Sequence, residues 1–207
     1  MRPGQALSLA LRDFYGNSWR LVPVNAALGA VLVLAGISAL AVRAALVVAL
    51  LAGPLLAVLA HCAVTLTRTG NLAVADVWDG FRLHWRRGLL LGAGGGALLG
   101  LGALAVHFYG RTALWPLSFV TLYVLVLLGI YQLVLWTLAI AEPDVPLRVA
   151  ARNAAQFVAA RPWPTLAFGL GLLAINVAGV AAAVMPFLTL TVAYSFLAAA
   201  HFVLEDR

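Results

Sequence analysis

From Leu114 to Ile140 the chain carries no charged side chain, and runs of this kind recur along its length. A stretch of about 20 apolar residues, rising 1.5 Å each as a helix, matches the ~30 Å hydrocarbon core of a bilayer. The runs that reach this length are Leu21–Val42, Ala44–Leu66, Gly88–Phe108, Leu114–Ile140, Pro164–Val184 and Met185–Leu204. The last two meet so closely, at Met185-Pro186, that a hairpin stopping short of the far side is an alternative to two full crossings. Composition agrees: 64% of the 207 residues are apolar and 10% are charged, against about 25% charged in a soluble domain. The mean hydropathy is +1.03. A soluble fold of this size exposes too much of its chain to hide that much apolar surface. Lipid is the expected solvent.

The expected fold is therefore all-α. It is a polytopic transmembrane helical bundle of six spans over 21–207, preceded by an N-terminal cytoplasmic amphipathic segment over 1–20. Orientation follows from the basic residues, all 13 of which are arginine. Only Arg43 and Arg111 fall in connections on one side; the others lie before the first span, between spans two and three, between four and five, or at the C-terminus. Such a positive-inside bias places both termini in the cytoplasm of a multi-pass protein of the plasma membrane. The net charge of +6 is explained by orientation, so nucleic acid is not an expected partner. Ala39-Leu40-Ala41 has the form of a signal cleavage site, but the apolar run before it exceeds the 7–15 residues of a signal core.

Two inner connections are more than loops. Val74, Val77, Trp78, Phe81 and Trp85 recur at helical spacing within Ala73–Arg87, and Arg148, Arg152 and Gln156 form a polar stripe within Asp144–Arg161. Asp144 is placed to cap the second and Pro146 suits its first turn. Each is expected as an amphipathic helix at the inner membrane surface. The order span, amphipathic helix, span then occurs twice, a weak internal symmetry. Trp78, Arg82, Trp85, Arg86, Arg87, Arg148 and Arg152 form the candidate interaction surface. Its basic residues suit anionic lipid headgroups or a protein partner.

Within the third span, Gly88, Gly92, Gly96 and Gly100 recur every four residues, giving one helix face on which another backbone can approach closely. Internal packing, with Gly29 and Gly36 as facing residues, competes with a homo-oligomer seam and with a flexible, gating helix. Intramembrane polar residues are few and mild, with Asn25, Gln132 and Asn176 the foremost. Inter-helix hydrogen bonds or a polar substrate path would both use them. The histidines lack the close spacing of a metal site, and no catalytic or nucleotide-binding motif is present. No cofactor, metal or reaction is expected, and Cys62 is expected as a small buried hydrophobe. The tryptophans, including Trp115 and Trp136 at about 31 Å along one helix, sit where interfacial anchors belong.

Several local patterns resemble those of the YesL family of small bacterial membrane proteins. They are Gly53-Pro54, Thr67-Arg68-Thr69-Gly70, Val77-Trp78-Asp79-Gly80-Phe81, Trp85-Arg86-Arg87-Gly88, Arg152-Asn153-Ala154 and Arg161-Pro162. None is a catalytic signature. Members of that family are often encoded beside carbohydrate ABC transporters, so the resemblance implies an accessory role near sugar uptake. The competing expectation is a small permease or lipid-handling transporter with a path between the spans. A cavity shared by Asn25, Gln132 and Asn176 favours the transporter; a glycine-tight core favours the accessory protein.

Overall fold

A computed structural model of the chain describes residues 2–37, 42–182 and 190–205. Among them are seven helices and no strand: α1 Pro3–Ile37, α2 Val42–Thr69, α3 Val74–Gly110, α4 Pro116–Ala141, α5 Leu147–Ala160, α6 Pro162–Ala182 and α7 Val192–Leu204. Three of the described helices are long and apolar enough to cross a membrane: α3, α4 and the Pro162–Gly179 part of α6. Six spans are expected from the sequence, so the described residues support fewer. The 13 described residues of α7 extend only about 20 Å. Ala39-Leu40-Ala41 and the Met185-Pro186 junction lie outside the described residues, as do parts of the first, fifth and sixth apolar runs.

The arrangement is a bundle around α7. Every residue from Ala193 to Val203 is buried, under α1, α2 and α4. Phe202 stacks on Phe168 of α6 with ring centroids 4.4 Å apart. From Pro3 onward, the expected N-terminal amphipathic segment forms the first part of α1, which bends at Asn17 (φ −119°, ψ 15°). The Asn17 side-chain amide there donates to the Asp13 carbonyl at 3.1 Å. Ala6 and Ala10 are fully buried, and the Tyr194 hydroxyl donates to the Leu7 carbonyl at 2.9 Å. His201 bridges Asp13 (3.0 Å) and Glu205 (2.7 Å), tying α1 to α7.

The most extensive pairing is α2 with α3. The two are joined by a turn in which Gly70 has φ +70°; a side chain there would strain the left-handed backbone. Glycine lets the helices touch directly. A Cβ on Gly92 would lie 2.7 Å from the Gly53 Cα, and one on Gly88 would lie 2.8–2.9 Å from Gly53 O, Pro54 Cα and Ala57 Cβ. Farther along α3, Gly95 faces the Gln132 side chain of α4, and Gly102 lies against Leu125. The facing residues for Gly88 and Gly92 thus come from α2, in place of the expected Gly29 and Gly36. Gly96 and Gly100 have nothing within 4 Å of a built Cβ, so the four-residue repeat is not one packed face. The face carrying Gly96 and Gly100 turns outward.

The expected symmetry fails at one junction. Ala73–Arg87 is not a separate surface helix; it runs without a break through Gly88 into the apolar part of α3. Its counterpart α5 ends at Arg161 (φ −138°, ψ 62°) before α6 begins at Pro162. Proline disfavours helical backbone in the residue before it, and Arg87-Gly88 carries no such restriction. The cap of α5 also differs from expectation: Pro146 takes the N-cap position, with no side-chain cap.

Candidate functional site

The turn between α2 and α3 and the end of α4 meet at the arginine-rich end of the bundle, where arginines join the elements. Arg87 donates to the carbonyls of Ala139 (2.7 Å), Glu142 (3.2 Å) and Val145 (2.7 Å). Arg68 donates to Ala141 at 3.1 Å, and Arg20 donates to Asn71 Oδ1 at 3.0 Å and to the Leu72 carbonyl. The last carbonyls of a helix lack intrahelical donors and carry its negative pole. Arg68 and Arg87 therefore cap α4. Expected as part of the interaction surface, Arg87 is half-buried and spent on the fold.

The rest of that surface is placed differently. Trp78 is 67% exposed and Trp85 41% exposed, and Arg82, Arg86, Arg148 and Arg152 are all exposed. The Arg86 guanidinium lies 5.1 Å from the Trp85 ring centroid, and Trp78 stacks beside Phe81 at 6.1 Å. On α5, Ala150 and Ala154 are buried, which turns Arg148, Arg152 and Gln156 outward. Next to the α3 face is an apolar groove of about 630 Å³, lined by Trp19, Pro23, Val24, Leu55, Val77 and Trp78 among others. Trp115 and Trp163 are exposed, but Trp136 is buried, its ring edge-on to Phe196 at 6.2 Å. It is a packing residue and not an interfacial anchor.

The intramembrane polar residues sit on three different helices. Asn25 is fully buried in α1. Gln132 lies over Gly95. Asn176 donates to Ser195 Oγ at 2.9 Å and to the Leu172 carbonyl at 2.8 Å, linking α6 to α7. Asn176 also lines a 300 Å³ space between α4 and α6.

Sequence spacing misses one cluster. His61 on α2 and His84 on α3 bring their ring centroids to 5.1 Å. Gly80 makes room for this, since a Cβ there would lie 3.0–3.2 Å from the His61 side chain. The two residues are distant in sequence and meet only because α2 and α3 pack antiparallel along the glycine contact; four-residue spacing from that contact reaches His61 on one helix and His84 on the other. Among the described residues no group of three or more metal-ligating side chains occurs. No family model, curated protein or solved structure matches the chain.

Proposed function

We propose that this chain is a non-catalytic accessory protein of the plasma membrane, crossing it several times with both termini in the cytoplasm. Its arginine-rich end docks a partner protein. The observation that carries this reading is the continuity of α3, which has 37 residues and is about 55 Å long. That exceeds a ~30 Å hydrocarbon core by several turns. With the apolar part from Gly88 onward in lipid, the 74–87 part lies toward the arginine-rich end, packed beside the second half of α2. It carries exposed Trp78, Phe81, Arg82, Trp85 and Arg86. Aromatic residues and arginine are the types enriched where protein interfaces bind tightly. The resemblance to the YesL family makes a subunit of a sugar ABC transporter the partner of choice.

The test places a photo-crosslinking residue at Arg82 in native membranes. The expected product is a protein adduct identified by mass as a subunit of a sugar-uptake system. Charge reversal at Arg86 and Arg152 should remove it, and added salt should mimic the reversal. Exposed charges contribute little to folding, so the thermal midpoint should stay nearly unchanged. Adducts to lipid alone, insensitive to charge reversal and salt, would contradict docking.

One observation favours a second reading, a lipid-handling protein: the apolar groove beside Trp19 and Trp78 has the volume of a small-molecule site. Against a transport path stands the direct backbone contact of α2 with α3.

A further inference from the structure

We infer that the cup around His61 and His84 is a binding site for a phosphate-type oxyanion, whichever partner docks outside. The cup has a volume of about 280 Å³ and lies between α2, α3 and the end of α4. Its floor is formed by buried Val64, His84, Ile140 and Ala141; exposed Arg68, Thr69, Leu83 and Pro143 surround its mouth. His61 and Thr65, both half-buried, stand between.

The decisive group is His84. It is 3% exposed, and its Nδ1 has no hydrogen-bond partner among the described residues. Leaving a buried polar atom unpaired costs about 1–3 kcal/mol, so such atoms call for a reason. Around it the cup is rich in donors. Arg68 presents a five-donor guanidinium, of which one hydrogen bond goes to Ala141. His61 and Thr65 add a ring N–H and a hydroxyl, whereas the Thr69 hydroxyl is already donated to the Thr65 and Asn71 carbonyls. Arginine beside other donors is the recurring means of holding phosphate.

A metal ion competes for the same imidazoles, since two ring centroids about 5 Å apart are compatible with a shared tetrahedral zinc. The rest of the cup opposes it. No carboxylate lines the cup; Asp76 and Asp79, whose charges reach His61, lie outside its walls. Arg68 stands at the mouth; Arg87, committed to the end of α4, lies outside the walls like the two aspartates. A lining of two histidines and one arginine, with no carboxylate, favours an anion. The phosphate can be free or can belong to a lipid headgroup.

The test is the thermal midpoint of the full chain purified in a neutral detergent. One arm adds inorganic phosphate against chloride of equal ionic strength; the other compares bicelles containing phosphatidic acid with bicelles of phosphatidylcholine alone. At saturation the oxyanion should raise the midpoint by about 5 °C. His84→Phe, which keeps an aromatic ring and removes the nitrogens, should abolish the rise. Thr65→Val should reduce it, and serves alone if His84→Phe does not fold. A response to inorganic phosphate assigns a free anion, and a response to phosphatidic acid alone assigns a headgroup. No response in either arm, a response unchanged in the variants, or stabilisation by Zn²⁺ in place of phosphate would overturn the proposal.

Discussion

Gly88→Leu is expected to prevent the chain from reaching a folded, monodisperse state in detergent, whereas Gly96→Leu should melt within a degree or two of the parent. Both glycines lie on one helix, two turns apart, and differ in what they face. A Cβ at Gly88 already falls inside contact distance of Gly53, Pro54 and Ala57, two of the three contacts being to backbone that cannot swing aside. Overpacking a dense interior costs about 1–3 kcal/mol when side chains can shift, and more when the backbone must move. Leucine at Gly88 would have to separate α2 from α3 and displace the His61–His84 pair as well. At Gly96 nothing lies within 4 Å, and a leucine there adds only surface suited to lipid. Size-exclusion profiles and thermal melts of the two variants check this directly. Similar behaviour of the pair would mean that α2 and α3 do not touch through glycine.

The second large effect is at Arg87. Arg87→Ala should lower stability by about 3 kcal/mol, because hydrogen bonds from charged donors contribute about 1.5–3 kcal/mol each and do not add fully. Three carbonyls, those of Ala139, Glu142 and Val145, lose their donor together. Arg87→Lys should recover only part of the loss, since an ammonium cannot reproduce the planar fork. Its neighbour is the control: Arg86 is exposed, and Arg86→Ala should change stability by no more than about 0.5 kcal/mol. Chemical or thermal denaturation in one detergent measures all three. Equal losses at 86 and 87 would contradict the capping role.

These two residues show how much was legible in the sequence. Helix, lipid and the uneven distribution of arginine follow from composition and run length, which are local properties. The split between Arg86 and Arg87 does not, because it depends on which way each side chain turns once α3 and α4 pack. The glycine repeat likewise marked the helix but not the turn at which its partner leaves: Gly53 on α2 accounts for Gly88 and Gly92, and nothing accounts for Gly96. The run from Val77 to Trp85 has helical spacing that was legible; its fusion to the following span was not, since no proline or cap residue marks its end. His61 and His84 carry no mutual spacing, so their meeting was invisible until α2 and α3 were laid antiparallel. Most of the family-like patterns acquire structural reasons here: Gly53 and Gly88 in contact, Arg68 and Arg87 on α4, Gly70 in the turn, Arg161-Pro162 as a break. Trp78, Trp85 and Arg152 are left exposed without one, and they lie on the proposed docking surface.

The claim that this surface faces the cytoplasm is tested most directly by side-specific labelling. Cys62 is the one native cysteine and is buried, so Cys62→Ala provides a background for single cysteines at exposed Arg111 and Arg152. A membrane-impermeant maleimide should label Arg111→Cys in intact cells and Arg152→Cys only after permeabilisation. Labelling of Arg152→Cys from outside, with Arg111→Cys protected, would place the arginine-rich end on the wrong side of the membrane and contradict the account.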